Sequence, residues 1–293
     1  MSMAVNGPAR LPVKKIIDQH RVFLIDNFGV LRTSSAPIIG AGETIRQIKG
    51  QGKRAIILTN TANYSPQQVA QNITEWHKLD FSEADVITSG MVLKPYFAEK
   101  ALVGKRILSL GNIETGNYIR QAGGSVLDPL NIFDRLGEIE GVVVGWYPVA
   151  DGEEARYLSV SNEMIHSAIN ALRISKGLPG VIANTDVTVP YDSTRVLYAG
   201  GALGAMIEMC AGRSLDRLGK PYRPIYDFAF SMVPDVSKDE ILMVGDSLEL
   251  DIKGANDAGI HSLLVMSGIT QTDEEIKASP YKPDFVSPAF TLE

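Results

Sequence analysis

The sequence predicts an α/β protein with a Rossmann-like, largely parallel sheet. Short apolar runs rich in Val, Ile and Leu alternate with longer amphipathic runs along the chain. This alternation is typical of parallel strands that are joined by helices. Some short runs, such as Ala55–Leu58, are apolar at every position, as expected of strands that helices cover on both faces.

Eight short apolar runs are the strands that we expect. In chain order they are Val22–Ile25, Ala55–Leu58, Val86–Thr88, Arg106–Leu110, Gly141–Val144, Val181–Ala183, Ile241–Val244 and His261–Val265. The amphipathic segments between them are expected to be helices. One helix start is marked clearly, because Ser65 can act as the N-cap, Pro66 suits the first turn and Gln68 can reach back to the cap.

The composition is that of an ordinary globular protein. Of 293 residues, 45% are hydrophobic and 21% are charged, and the net charge is −6. A nucleic-acid or membrane-surface protein would usually carry a basic balance, so neither partner is expected. No apolar run approaches the roughly 18 residues that a membrane-spanning helix needs. The single cysteine, Cys210, cannot form an intramolecular disulfide, which fits a cytoplasmic protein.

Polar residues follow three of the expected strands at the point where each strand ends. Asp26 follows the first strand, Thr59 and Asn60 follow the second, and Gly245-Asp246-Ser247 follows the seventh. Ligands of open parallel sheets bind outside the carboxyl ends of the strands. We therefore expect these clusters to share one edge of the sheet.

Carboxylates in these clusters suggest a magnesium site. Asp26 and Asp246 offer hard oxygen ligands, and Mg²⁺ typically takes one or two protein carboxylates together with water and substrate phosphate. Asp251 lies five residues after Asp246 and could orient a metal-bound water from behind the ligands.

Neutral donors and one cation in the same set suit a phosphate group. Thr59 and Asn60 offer side-chain donors, and backbone N–H groups in the Asn27–Gly29 turn could also bind phosphate oxygens. A phosphoryl group in transfer also needs positive charge nearby. Lys220, between Gly219 and Pro221 in a shaped turn, is the candidate for that charge.

This ordered set resembles the haloacid dehalogenase superfamily, and specifically its class IIA, the nitrophenylphosphatase-like, sugar- and nucleotide-phosphatase-like hydrolases. The segments that carry the resemblance follow the order of the family motifs, with one further segment where class IIA chains return from a cap domain to the core. They are Ile25–Leu31, Leu58–Asn60, Val181–Asp186, Gly219–Pro221 and Gly245–Ile252.

The resemblance implies roles for individual residues. Asp26 would be the nucleophile that becomes a phospho-aspartate during hydrolysis of a small phosphorylated metabolite. Thr59 and Lys220 would bind the phosphoryl group. Mg²⁺ would be held by Asp26, Asp246 and the main-chain carbonyl oxygen of Phe28.

The resemblance also implies a domain organisation. A smaller α/β cap domain over residues 101–185 would be inserted into a core formed by residues 1–100 and 186–293. A cap closes over the site, excludes water and selects the substrate. A homodimer is expected because relatives often dimerise through the cap.

Phe28 is a departure from the family pattern. Phosphatases of this family carry a second Asp at this position, which protonates the leaving oxygen and then activates water. A positioned acid or base contributes about 10²–10⁴-fold to a rate. One interpretation is a phosphatase that acts on good leaving groups or takes its acid from another residue, such as Asp151 or Asp186.

Three other interpretations stay open. In the first, the chain is a protein that binds Mg²⁺ and phosphate with weak turnover. In the second it is a dehalogenase, and in the third it is a hydrolase of phosphonates. Dehalogenases of the superfamily carry an aromatic residue at the position of Phe28 but do not use Mg²⁺, so Asp246 and Asp251 argue against that function. Superfamily phosphonatases use a cap lysine that this sequence does not reveal.

Overall fold

The computed structural model describes residues 8–146, 160–192 and 194–292. Within them, the strands in chain order are β1 (Val22–Ile25), β2 (Arg54–Thr59), β3 (Val86–Thr88), β4 (Arg106–Gly111), β5 (Ser125–Val126), β6 (Gly141–Trp146), β7 (Gly180–Ile182), β8 (Thr188–Pro190), β9 (Val196–Tyr198), β10 (Asp216–Arg217), β11 (Ile241–Gly245), β12 (His261–Val265) and β13 (Phe285–Ser287).

The α-helices of the described residues lie between these strands. They are α1 (Val13–Gln19), α2 (Ala41–Gly50), α3 (Pro66–His77), α4 (Leu93–Glu99), α5 (Ile113–Gln121), α6 (Asn162–Ile174), α7 (Gly200–Ala211), α8 (Arg223–Ser231), α9 (Lys253–Ala258) and α10 (Asp273–Ala278). A short π-helical turn, Leu248–Ile252, leads directly into α9.

The eight strands predicted from the sequence are all present, with ends that differ by at most two residues. The predicted helix start is also confirmed, since α3 begins at Pro66. Sequence analysis missed β5, β8, β9, β10 and β13, which are two or three residues long. Runs of two or three residues carry little periodicity, so strand pairing decides which of them become strands.

The chain divides into two units. The first unit contains the chain up to Thr59, Pro66–Ile87 and the chain from Tyr226 onward, and the second contains Asn60–Ser65 and Thr88–Ile225.

The first unit is built on a six-stranded sheet in the order β13-β12-β11-β1-β2-β3. The register pairs β1 in parallel with β2 on one side and with β11 on the other. The strand order therefore reverses between β1 and β11, which makes this pair the topological switch point of the sheet. Ligands of doubly wound sheets bind beside the carboxyl ends of strands at such a point.

Apolar side chains bury both faces of the sheet in the first unit. Every residue of β1 and β11 is buried. Phe23 and Ile25 of β1 belong to a buried cluster that also contains Ile16 of α1 and Ile45 of α2. Burial of such side chains stabilises the fold by about 1.5–3 kcal/mol each, so the strand ends at this sheet are held by a rigid core.

The second unit has a sheet of its own, in the order β10-β7-β6-β4-β5, and its strands are all parallel. Helices α6 and α7 contribute Leu172 and Leu203 to its buried cluster, together with Val144 of β6. Strands β8 and β9 form a separate antiparallel pair.

The second unit, which contains Asn60–Ser65 and Thr88–Ile225, includes the whole of residues 101–185, the segment predicted as a cap, and residues on both sides of it. The reason is tertiary: α7 packs against β6 and β7, and β10 pairs with β7, so residues beyond 185 complete this sheet. These contacts cannot be read from local sequence.

Among the described residues, none of the helices combines the length and the apolar character that crossing a membrane requires.

Candidate active site

Asp26 and Asp246 lie at the ends of the two strands that form the switch point. Ile25 of β1 is in register with Val244 of β11. The Asp26 N–H continues this pairing by donating to the carbonyl oxygen of Val244 at 2.9 Å. The two aspartates were predicted to converge from distant parts of the sequence, and the parallel pairing of β1 with β11 places them at one edge.

Asp26, Asp246 and Asp251 form one carboxylate group. One carboxylate oxygen from each lies within 4.8 Å of the others. Asp246 and Asp251 are 3% and 1% exposed, and Asp26 is half-buried. Carboxylates this close in a poorly hydrated place repel one another, and a bound cation would offset that repulsion.

Backbone donors fix the direction of two of these carboxylates. Asp251 Oδ2 accepts hydrogen bonds from the N–H groups of Asp246 and Ser247, each at 3.1 Å. The Ile269 N–H donates to Asp246 Oδ2 at 2.8 Å. Ser247 also caps the following turn, because its Oγ accepts from the Leu250 N–H at 3.3 Å. Asp251 therefore holds the loop that carries Asp246.

Glycines leave the space that these carboxylates occupy. Gly29 has φ +72°, and a Cβ on it would collide with Asp246 Oδ2. A Cβ on Gly268 would collide with the same oxygen, and one on Gly245 would collide with the Asp251 carboxyl. The backbone at these glycines thus lies closer to the carboxylates than it could if the residues carried side chains. The result is a compact group of oxygen donors, the kind of ligand that Mg²⁺ prefers.

The turn after Asp26 positions an aromatic ring rather than a second carboxylate. The Leu31 N–H donates to the Asn27 carbonyl oxygen at 2.9 Å, and the Gly29 N–H donates to the Arg32 carbonyl oxygen at 2.8 Å. Phe28, inside this turn, is half-buried. These hydrogen bonds make the backbone of the turn rigid. The turn therefore holds the Phe28 backbone in a fixed position, two residues after Asp26 in the chain.

Arg32 stacks on the ring of Phe28. Its guanidinium carbon lies 4.4 Å from the centroid of the Phe28 ring and 4.6 Å from that of Trp76, on α3. Such cation–π contacts are worth about 0.5–2 kcal/mol, depending on exposure. Neither Arg32 nor Trp76 was predicted from the sequence, because an arginine in a turn and an aromatic residue on a helix carry no local signal of a shared site.

His77 supports the same turn from α3. Its Nε2 lies 2.9 Å from the Leu31 carbonyl oxygen, to which a ring N–H can donate. Burial lowers the pKa of His77, while the hydrogen bond to Leu31 opposes that shift. The imidazole is therefore favoured in its neutral form.

A second cluster lies in the second unit, around Lys220. The Lys220 N–H donates to Asn60 Oδ1 at 2.6 Å, and Asn60 Nδ2 donates to the Lys220 carbonyl oxygen at 3.1 Å. Asn60 Nδ2 also donates to Asp186 Oδ1 at 2.8 Å. Thr185 Oγ1 donates to the Lys220 carbonyl oxygen at 2.6 Å. Asn60 and Lys220 are 3% and 2% exposed, so the centre of this network is buried, whereas Asp186 is half-buried.

The predicted site residues therefore fall into two sets. The structure brings the three carboxylates together in the first unit, where Asn27, Phe28 and Thr59 also lie. It brings Asn60 to Lys220 in the second unit. Asp186, one of the two residues considered as a substitute acid, accepts a hydrogen bond from Asn60. The other, Asp151, lies outside the described residues.

Two protein-family models match the chain. One, described as haloacid dehalogenase-like hydrolase, matches residues 23–125, and a second of the same kind matches residues 217–291. They contain the Asp26 and Asp246 segments respectively.

Solved structures and curated proteins match nearly the whole chain. A possible sugar phosphatase of the haloacid dehalogenase superfamily from Cytophaga hutchinsonii is 31% identical with a TM-score of 0.84, over 98% of this chain and 100% of the other. D-glycerol 3-phosphate phosphatase from Mycobacterium tuberculosis is 28% identical over 92% of this chain and 69% of its own length. A structure of a glycerol phosphate phosphatase from that organism in complex with magnesium is 25% identical, with a TM-score of 0.79, over 96% of this chain and 78% of the other.

Proposed function

We propose that this chain, which belongs to the haloacid dehalogenase superfamily and is a phosphatase, uses Asp26 to hydrolyse a small phosphorylated metabolite with Mg²⁺ as its cofactor. The observation that carries the proposal is the carboxylate group of Asp26, Asp246 and Asp251 at the switch point of the sheet. Three buried or half-buried carboxylates within 4.8 Å are a costly arrangement that a divalent cation stabilises.

The chain's own residues would hold the cation in the following way. Asp26, Asp246 and the main-chain carbonyl oxygen of Phe28 are the proposed ligands, and Asp251 keeps the Asp246 loop in place through its two backbone hydrogen bonds. When bound there, Mg²⁺ supplies positive charge that offsets the carboxylates and the substrate phosphate.

In the proposed reaction, a carboxylate oxygen of Asp26 attacks the phosphorus atom. The bond from phosphorus to the ester oxygen breaks, and that oxygen leaves with the electron pair. Water then attacks the phospho-aspartate, which releases inorganic phosphate and restores the Asp26 carboxylate. Thr59, at the end of β2, and Lys220 are proposed to bind the phosphoryl oxygens, with help from backbone N–H groups in the Asn27–Gly29 turn.

Phe28 sets the proposed preference for leaving groups. A phenyl ring cannot donate a proton to the ester oxygen, and the contact with Arg32 keeps this ring in the turn that follows Asp26. Unless another residue, such as Asp151 or Asp186, supplies the proton, the leaving oxygen departs as an anion or takes its proton from solvent. We propose that esters of acidic alcohols are hydrolysed much faster than alkyl esters, such as the glycerol and sugar phosphates after which the relatives are named.

The same absence of a carboxyl at Phe28 favours one alternative, a protein that binds Mg²⁺ and phosphate with weak turnover. Hydrolysis of p-nitrophenyl phosphate with Mg²⁺ separates the two functions, because its good leaving group needs little acid help. The phosphatase is supported by turnover that EDTA abolishes and that Asp26→Asn removes. Mg²⁺-dependent binding of inorganic phosphate without turnover supports the alternative, and chloride release from a 2-haloacid would support a dehalogenase instead.

A further inference from the structure

Asn60 holds both peptide groups of one residue, Lys220. Its Oδ1 accepts from the Lys220 N–H, and its Nδ2 donates to the Lys220 carbonyl oxygen. The two residues are 160 positions apart in the sequence. A carboxamide that pairs with both the N–H and the carbonyl oxygen of a single residue fixes the position and the orientation of that residue's backbone, because two hydrogen bonds to one group leave little freedom to rotate.

The neighbouring groups fix the orientation of the Asn60 carboxamide itself. The Lys220 N–H can only donate, so it must face the amide oxygen. The Asp186 carboxylate and the Lys220 carbonyl oxygen accept, so they must face the amide nitrogen. Both hydrogens of that nitrogen are thereby engaged, and the carboxamide retains no N–H donor for a phosphate oxygen.

Two further features serve the same contact. Thr185 Oγ1 donates to the Lys220 carbonyl oxygen at 2.6 Å, which gives that oxygen a second partner. Gly219 lies where a Cβ would come 2.5 Å from Thr185 Oγ1 and 2.6 Å from Asn60 Oδ1. Any other residue before Lys220 would push the side chains of Thr185 and Asn60 away from the Lys220 backbone.

We propose that Asn60 is a positioning residue for Lys220 and does not itself bind phosphate. In this arrangement, the carboxamide fixes the backbone from which the lysine ammonium binds the phosphoryl group, and Asp186 fixes the carboxamide. The inference rests on the proposed role of Lys220 in phosphate binding. It replaces the direct phosphate contact that sequence analysis assigned to the Asn60 side chain.

Double-mutant analysis tests this proposal. The dissociation constant of inorganic phosphate is measured by calorimetry with saturating Mg²⁺ for wild type, Asn60→Ala, Lys220→Met and the double variant. Asn60→Ala is expected to weaken phosphate binding by about 10-fold or more, since the lysine loses its fixed backbone. In the Lys220→Met background the same change is expected to have no further effect, because the group that Asn60 positions is already gone. Asn63→Ala is the matched control, as Asn63 is a buried residue of the same loop, 5% exposed, and should leave affinity unchanged.

Thr185 provides a second test with conservative rescue. Thr185→Val removes one hydrogen bond from the Lys220 carbonyl oxygen and is expected to weaken phosphate binding about 3- to 10-fold. Thr185→Ser retains the hydroxyl and should restore wild-type affinity.

The proposal is overturned if Asn60→Ala weakens phosphate binding by the same factor with and without Lys220, since that is the behaviour of a direct ligand. It is also overturned if Asn60→Ala leaves affinity intact. These outcomes are distinct from failure of the proposed function. If the proposed function fails, the wild-type protein binds phosphate but does not hydrolyse p-nitrophenyl phosphate. The phosphate affinities of the same variants would still show whether Asn60 positions Lys220. If Lys220→Met alone leaves binding unchanged, Lys220 is no phosphate ligand and the positioning role falls with it.

Discussion

The guanidinium carbon of Arg32 lies 4.4 Å from the centroid of the Phe28 ring. From the resemblance to the family, we expect Phe28 to occupy the position at which related phosphatases carry an acid. The contact shows that the ring is part of a packed arrangement, which also includes Trp76, and is not an exposed replacement. A turn built around a stacked arginine has different chemistry from one built around a second carboxylate.

Phe28→Asp should raise the turnover of alkyl phosphates. The new carboxyl can donate a proton to the leaving oxygen, and a positioned acid contributes about 10²–10⁴-fold in favourable cases. We expect a gain of about 10-fold or more for glycerol phosphate and little change for p-nitrophenyl phosphate, measured as kcat/KM with Mg²⁺. The double variant Asp26→Asn/Phe28→Asp should be inactive on both. A folded Phe28→Asp protein without any gain on alkyl esters would show that a missing acid does not limit the reaction.

Magnesium should stabilise the fold through the carboxylate group. A ligand that binds the folded state raises the free energy of unfolding by about 2.7 kcal/mol at 100 times its Kd. Thermal unfolding should therefore shift to higher temperature in MgCl₂ and back in EDTA. Asp246→Asn should remove most of this shift, whereas Asp235→Asn, at an exposed position of the same unit, should retain it. An unchanged shift in Asp246→Asn would mean that Mg²⁺ binds elsewhere.

Gly29→Ala should weaken Mg²⁺ binding because its Cβ would collide with Asp246 Oδ2. Gly52 offers a matched control, since it has the same φ of +72° but no atom within 4 Å of the Cβ that alanine would add. Both substitutions carry the backbone cost of about 1–2 kcal/mol that the left-handed region imposes on alanine. Only Gly29→Ala should lower the Mg²⁺ affinity, which calorimetry measures. Each 1.4 kcal/mol of binding free energy that is lost corresponds to an affinity about 10-fold lower. Equal affinities in the two variants would rule out the steric role of Gly29.

Stability should fall as the pH drops below about 6.5, the usual histidine pKa. Burial lowers the pKa of His20 and of His77 in the folded state. The unfolded chain therefore takes up these protons first, and unfolding is favoured as pH falls from about 6.5 toward the folded-state values. His77→Gln can still donate to the Leu31 carbonyl oxygen but does not titrate. Denaturant unfolding at pH 7.5 and pH 5.5 should show a smaller loss of stability in this variant than in wild type, and an equal loss would contradict the assignment to His77.

Local sequence patterns were enough to predict the parallel sheet and the three carboxylates. Apolar runs that end in Asp26 and Asp246 are local features, and parallel strands present their carboxyl ends at the same edge whatever lies between them. The close contact of Asp26, Asp246 and Asp251 could therefore be predicted from the sequence. The strands that were missed and the extent of the second unit could not, because they depend on strand pairing that no local pattern shows, such as that of β10 with β7.

What the side chains of Asn60 and Phe28 contact became clear only from the folded chain. Both residues belong to motifs that the sequence shows plainly, yet the Asn60 carboxamide pairs with Lys220 and the Phe28 ring pairs with Arg32. Sequence pattern indicates where a strand ends and which chemical group follows it. Packing and the hydrogen-bond partners that folding brings from elsewhere in the chain determine the direction of that group. Local periodicity does not reveal these partners.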